Sequence, residues 1–551
     1  MFFQHFLIKG NNGNSEMKIK NRKFKKFFNK YWIEIILLFI TSIIVSSYGI
    51  NKLPILKDLG FFSYLGQEIL RGYPVYSTVF EVKPPLIPYF FAFSMSFFNF
   101  LPQYLSIRLF MLIVISLMVV LFYRVILKIF NDKIISTLSV LILISFTFFM
   151  EISLLGDSKT LALFFSFLTF ILLFRKRYLL SGISVSFGFL FYQIVGLFLL
   201  APLIFIFLDH DKRSVKIKKV SKTLLGFFIP LILLVIYFFF YGSITNLINF
   251  SLIYPLKYEL VNKWGLSKVL NVLGYYCSEF FFLILGLIGF LYSLYKIMKN
   301  RSLGIFYKNK YLTSFALPFL LLLLFSVKYF EGGSHLIILL PAISVLAAFS
   351  LKKIHNRFTK IIPNKSATIL LISIVCIYGF FPALQPVYPE NPVIRDRNKF
   401  TSPYELITYV QNKYGVLNSL LLFLFQRKGE QVTIEHQLEL AKIIQNNTNE
   451  DEKILSLSAP EILFLSKRRN MNPYPLFEGA GFYELSIERG ELSKIREEII
   501  NHKPKFILTY KENFIEKLEL SEFVDKNYEE MSLGAPFTGY YKVYTTLYGA
   551  D

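Results

Sequence analysis

The chain has 551 residues, of which 54% are hydrophobic and 18% aromatic, with a mean hydropathy of +0.50. That is too apolar for an ordinary globular protein and reads as a polytopic membrane protein. The net charge of +23 does not point to nucleic acid. Lys and Arg fall in short clusters between apolar runs rather than along one soluble face, as topology signals do.

In chain order, residues 1–30 form a basic segment, most strongly so over 18–30. The apolar run 31–50 is too long for the core of a signal peptide and lacks a small-residue cleavage site, so it predicts a retained transmembrane helix. Further helix-length runs occur near 86–101, 105–127, 134–152, 159–174, 179–191, 193–208, 222–241, 272–295, 311–327, 335–350 and 367–383. The basic clusters at 18–30, Arg124/Lys128/Lys133, 175–177, 212–222, 296–310 and 352–360 are expected in the cytoplasm. All of them fit on one side only if one run fails to cross. The run at 86–101 is that exception, expected to be re-entrant or interfacial, the alternative being that it crosses and a neighbouring hairpin is arranged differently. The loops at 51–85, 151–158, 242–270 and 328–335 then share one outer face with everything after 384.

The runs 179–191 and 193–208 are short and interrupted by Gly182, Gly188 and Gly196, which predicts a tight outer hairpin at Tyr192-Gln193. Apart from Glu34 and Arg108 near segment ends, the crossing runs carry almost no ionisable residues. This counts against an ion-coupled transporter, whose pathway needs such groups at mid-depth. Cys277 and Cys376 both lie in apolar segments, so neither a disulfide framework nor a cysteine zinc site is expected.

Past residue 383 the composition changes. Pro382, Pro386, Pro389 and Pro392 make a stiff exit, and a small α/β domain is expected over 395–551, outside the cytoplasm. Its predicted elements are a helix at 433–445, a strand at 453–458, a helix from Pro460, a helix at 484–500, and strands at 505–510 and 540–547. The apolar stretch 420–425 is too short to span and is expected on the membrane surface. The fold class is thus a polytopic helical membrane protein of about 11–13 transmembrane helices, over 31–383, with a C-terminal α/β domain.

Chemistry concentrates in the loop after the first apolar run. Lys57-Asp-Leu-Gly-Phe-Phe-Ser-Tyr64, then Gln67-Glu-Ile-Leu-Arg-Gly-Tyr-Pro-Val-Tyr76 and Phe80-Glu-Val-Lys-Pro-Pro85, gather Asp58, Glu68, Arg71, Glu81 and Lys83 among aromatics beside a bilayer. Each such group is costly if immersed, so the density suggests a working site. Pro84 pushes Lys83 toward an extended backbone. A second acidic outer loop holds Glu151 and Asp157 in Met150-Glu-Ile-Ser-Leu-Leu-Gly-Asp-Ser-Lys159, and a third carries His335 in Lys328-Tyr-Phe-Glu-Gly-Gly-Ser-His335. Asp58 and Asp157 are equally well placed to cap the helices that follow them, Glu81 and Lys83 to form an interfacial ion pair, and His335 to be an interfacial histidine.

At these residues the sequence resembles the polytopic GT-C glycosyltransferases, in particular the protein O-mannosyltransferase and aminoarabinose-transferase group. The shared pattern is an Asp, an aromatic-rich helix, a Gly-x-Pro-Tyr turn, an acidic residue and Lys-Pro-Pro. Here the turn is one residue longer before its Tyr, as Gly72-Tyr-Pro-Val-Tyr76, and Leu336 replaces the Tyr that often follows the histidine. The resemblance implies transfer of a sugar, with inversion, from a polyprenyl- or dolichyl-phosphate donor to a hydroxyl of a lipid, glycan or protein. It implies Asp58 as base with Asp157 as a second catalytic carboxylate. Lys83, Arg71, Tyr64 and His335 become candidates for donor phosphate, and Glu81 and Glu151 for the acceptor or a divalent cation. The C-terminal domain offers no nucleophile triad, metal spacing or phosphate loop, and an outward site has no access to cytosolic nucleotide sugars. The alternatives are a polymerase or ligase of the O-antigen type, whose arginine-rich outer loops are missing here, and a non-enzymatic lipid-linked-sugar transporter. The expected location is the cytoplasmic (inner) membrane of a bacterium.

This topology is directly testable. Reporter fusions at Asn300 and Asn391 are expected to report opposite compartments, because the basic cluster around the first stays inside. The same compartment for both would contradict the arrangement.

Overall fold

The computed structural model describes residues 53–254, 280–299, 309–329, 337–384, 433–476, 514–532 and 541–547, and parts of 32–41 and 483–509, with a few single positions left out. The basic N-terminus, the exit with its 420–425 stretch, Cys277 and His335 lie outside the described residues.

The described part of the first run, within 32–41, is helical. After it come α1 (Lys57–Leu70), α2 (Leu86–Phe97), α3 (Gln103–Phe130), α4 (Lys133–Ser145), α5 (Thr147–Leu154), α6 (Ser158–Phe174) and α7 (Tyr178–Phe191). Next are a 3-10 turn over Gln193–Leu199, α8 (Leu200–Phe207), α9 (Arg213–Phe240), α10 (Ile244–Ile248), α11 (Phe280–Lys299), α12 (Lys310–Tyr329), α13 (Leu340–Phe358) and α14 (Asn364–Leu384). Three described stretches, Gln103–Phe130, Arg213–Phe240 and Ile337–Phe358, are each long and apolar enough to cross a membrane unaided. The protein is a polytopic helical membrane protein.

The boundaries have local causes. Asp132 caps α4 by accepting from the Ile134 and Ile135 amides, while Asn131 before it takes a left-handed turn. The run expected at 134–152 is not one helix, because Phe146 adopts an extended conformation and splits it into α4 and α5. The chain reverses where expected, at extended Tyr192, but the returning segment starts as a 3-10 turn before α8. α2 has 12 residues and so a length of about 18 Å, well short of a hydrocarbon core. Its Phe93 and Phe97 are exposed.

The basic clusters meet one another through ion pairs. Asp209 receives Lys219 and Lys310, Asp211 receives Lys219, Lys352 faces Asp132, and Arg124 faces Glu34. Cations that would otherwise repel are thereby interleaved with the few acids on that end.

The C-terminal part comprises α15 (Ile434–Asn446), β1 (Lys453–Ser456), α16 (Pro460–Ser466), β2 (Arg469–Asn470), α17 (Leu492–His502), β3 (Phe506–Thr509), α18 (Phe514–Lys517), α19 (Ser521–Asn527), β4 (Tyr528–Glu530) and β5 (Lys542–Thr546). A five-stranded sheet runs in the order β2-β1-β3-β5-β4, with β1 parallel to β2 and β3, and β5 antiparallel to β3 and β4. This is the small α/β domain expected. Of the helix expected at 484–500, the described residues are helical at 486–487 and over α17 with a turn at 489–490 between, and the short edge strands β2 and β4 carry too little pattern to be read from sequence.

The domain does not hang free. Buried side chains of α1, the membrane helices and the sheet, among them Phe61, Phe122, Leu463 and Val543, form one continuous apolar cluster. α16 lies along α1 so closely that a Cβ on Gly60 would come 2.5 Å from the Glu461 backbone, which only glycine tolerates.

Candidate active site

The start of α1 is set from the chain before it. Leu56 is extended, and α1 begins without a side-chain cap, so Asp58 does not cap the helix; it sits in the first turn, where a carboxylate is favoured by the helix dipole. Its side chain is 66% exposed and takes an ion pair of 3.2 Å from Lys83 Nζ.

Lys83 is placed by the turn between α1 and α2. Tyr76, at a φ of 68° that non-glycine residues seldom adopt, is fully buried, and its hydroxyl donates to the Lys83 carbonyl at 2.8 Å. The Tyr76 ring stacks on Phe250 and tilts against Phe238, and Asn246 donates to the Tyr76 carbonyl at 3.0 Å. Glu81, buried, accepts the Lys83 amide at 2.7 Å. The Lys83 backbone is thus fixed from both sides while its ammonium projects over the Phe62 ring, 4.9 Å from the centroid. Burial alone would lower the Lys83 pKa, but the carboxylates of Asp58, Glu81 and Asp157 hold it above the usual lysine range. The ammonium stays charged at any physiological pH.

Asp157 arrives from the opposite side. Gly156, at a φ of +83°, makes the sharp turn, and Asp157 then caps α6 by accepting the Lys159 amide at 2.7 Å. Its other oxygen pairs with Lys159 Nζ at 3.1 Å, and Lys159, a buried cation, lies over the Tyr192 ring. A cavity of about 260 Å³ opens between these elements, lined by Asp58, Phe62, Lys83, Asp157 and Ser158 together with apolar Leu56, Leu59, Ile152 and Leu155. With Lys57 and Gly156 also in the lining, two carboxylates and two lysines therefore face one space whose floor is hydrophobic.

The other sequence candidates lie elsewhere. Tyr64, buried, accepts the Asn470 amide at 2.9 Å with its hydroxyl, and Arg71 pairs with Glu68 and donates to the Lys467 carbonyl at 2.8 Å. Both are drawn into the contact between α1 and the C-terminal domain, away from the cavity, since one face of α1 turns toward α16. Glu81 lies behind Lys83 and is not in the lining. Glu151 falls on α5, its side chain outside the described residues, as is all of His335. Among the described residues no three His, Cys, Asp or Glu side chains come close enough to hold a metal. Sequence reasoning did not single out Lys159 or Asn246, and it had Tyr76 only as the end of the Gly-x-Pro-Tyr turn. Only the Gly-Asp-Ser-Lys turn hinted at the first.

The helices define a polytopic membrane protein, and the comparisons give it the GT-C glycosyltransferase fold. Residues 82–238 match the family model for dolichyl-phosphate-mannose-protein mannosyltransferase, a span that includes Lys83 and Asp157 and begins after Asp58. Among solved structures, the crystal structure of ArnT from Cupriavidus metallidurans bound to undecaprenyl phosphate is similar with a TM-score of 0.55 at 12% identity, over 94% of this chain and 98% of that one. The apo state of the same ArnT gives a TM-score of 0.53 at 12% identity over the same shares. At that identity the likeness is one of fold. No curated protein matches the sequence. The resemblance read from the outer loop is met by both comparisons.

Proposed function

We propose that the protein is an integral membrane glycosyltransferase that moves a sugar from a polyprenyl- or dolichyl-phosphate donor to a hydroxyl acceptor on the outer face of the membrane. The observation that carries this is the meeting of Asp58, Lys83 and Asp157, from three separate stretches of chain, in one cavity over an apolar floor. The family match and the undecaprenyl phosphate bound to the similar ArnT support a lipid-linked donor.

In this reading the lipid chain lies among the membrane helices and its phosphate reaches Lys83. A phosphodiester competes with Asp58 for the ammonium, so donor binding relieves Asp58 of its resting partner. The acceptor oxygen attacks the anomeric carbon as the bond from that carbon to the phosphate oxygen breaks. The hydroxyl proton passes to the Asp58 carboxylate, and the electron pair leaves with the lipid phosphate, whose growing charge Lys83 offsets. Attack opposite the leaving group inverts the anomeric centre. Asp58 suits the base because it is the more exposed carboxylate, whereas Asp157 is 15% exposed and committed to Lys159 and the α6 cap. Asp157 serves by holding the acceptor or sugar hydroxyls and adding negative charge beside Lys83.

Two variants test this. Lys83→Ala is expected to raise the apparent KM for a polyprenyl-phosphate sugar by about 10–100-fold, the worth of one charge-assisted contact. Lys83→Arg is not expected to rescue it, since the backbone held by Glu81, Tyr76 and Pro84 leaves little room for a planar head. Unchanged kinetics in Lys83→Ala would remove the phosphate role.

Asp58→Asn should fold and bind donor lipid yet turn over roughly 10²–10⁴-fold more slowly, since Asn accepts no proton. No helix cap is lost, and the exposed pair with Lys83 adds little stability. The measurement is sugar transfer by purified protein in lipid, beside thermal stability and donor binding. Near-normal turnover would move the base to Asp157.

A further inference from the structure

We propose that the C-terminal domain is a working part of the active site, and that Gln437 is the positioning residue through which it fixes Asp58; the proposal rests on the glycosyltransferase reading above. Gln437, on α15, is 2% exposed. Its Oε1 accepts the Ile55 amide at 2.7 Å and its Nε2 donates to the Ile55 carbonyl at 2.9 Å, across 382 positions of sequence. One side-chain amide thus satisfies both backbone groups of a single residue, as a neighbouring strand would, and so fixes its orientation as well as its place. The same Nε2 also lies 3.0 Å from the Tyr541 hydroxyl, which donates to Glu461 at 2.7 Å.

Ile55 stands three residues before Asp58. The two residues before it are held from the membrane side, where buried Arg108 on α3 donates to the Leu53 carbonyl at 2.5 Å and the Pro54 carbonyl at 3.1 Å. Three consecutive residues are therefore clamped between a membrane helix and the C-terminal domain, directly before an uncapped helix whose first turn carries the base. Along α1 the domain keeps its grip through Gly60 on Glu461, Gln67 to the Phe464 carbonyl, the Asn470 amide to Tyr64, and Arg469 on buried Glu68.

These contacts set where α1 starts and how it is rotated about its axis. A slip of one residue would turn Asp58 by about 100° and carry it off Lys83. Misplacement of a reacting group by about 1 Å is worth up to roughly 10²-fold in rate. A contact that only held the domain in place would lower stability without selecting the chemical step.

The test is steady-state transfer by the full chain in lipid with a polyprenyl-phosphate sugar. Gln437→Leu is expected to lower kcat about 10–100-fold with donor KM within about twofold, and Gln437→Glu, which keeps an acceptor for the Ile55 amide but turns a carboxylate oxygen on the Ile55 carbonyl, to lower it no less. In an Asp58→Asn background Gln437→Leu should cost nothing further, because the group it acts through is gone. Glu519→Ala, an exposed change in the same domain, is the control and should leave kcat alone. Wild-type kcat in Gln437→Leu, or an equal loss in the Asp58→Asn background, overturns the proposal. Should Gln437→Leu not fold, Tyr541→Phe removes only the hydroxyl behind it and is expected to lower kcat several-fold; no change there overturns the proposal equally. Hydrogen exchange over residues 55–60 gives a readout without turnover: faster exchange in Gln437→Leu or Tyr541→Phe is expected, and unchanged exchange contradicts it. A wild-type protein that transfers no lipid-linked sugar, with variants that still show that exchange response, would sink the functional reading and leave the positioning role standing.

Discussion

A lysine and an aspartate 25 residues apart in sequence meet at 3.2 Å, and the elements around the cavity are arranged about that contact. Each partner sits on a backbone with little freedom. Lys83 is pinned by Tyr76, Glu81 and the proline pair, and Asp58 by the rigid helix α1. The pair itself, part exposed, contributes little to stability. In the proposed function its value lies in holding a cation and a carboxylate at a spacing where an incoming phosphate and a hydroxyl can each take one of them.

The apolar surroundings matter as much as the charges. Leu56, Leu59, Phe62 and Leu155 line the cavity beside the charged groups, and under the proposed function such apolar walls would strengthen the contact of a lysine with a phosphate. Below them, the exposed aromatic and aliphatic faces of α2 and α9 suit contact with lipid. A mixed sheet domain is packed on α1, the helix that carries Asp58, which the proposed function makes the base.

The membrane class was legible because long apolar runs and interleaved basic clusters are one-dimensional signals. So were Asp58, Lys83 and Asp157, which lie in short local motifs whose turns are written by Gly, Pro and Asp. The break at Phe146 was hidden, since no proline or glycine marks it and the run stays apolar throughout. Tyr64 and Arg71 looked like ligand groups because their sequence neighbours are; their true surroundings are Asn470 and Lys467, roughly four hundred residues away, and no local pattern reports that. Gln437 carried no signal at all, being one glutamine on an amphipathic helix.

The measurement that bears most directly on the account is product analysis in vesicles holding the purified protein, a hydroxyl acceptor and either a polyprenyl-phosphate sugar or the matching nucleotide sugar. The account predicts one lipid phosphate released per sugar transferred, an inverted anomeric centre, and no transfer from the nucleotide. Transfer from the nucleotide sugar, or retention at the anomeric carbon, would contradict it.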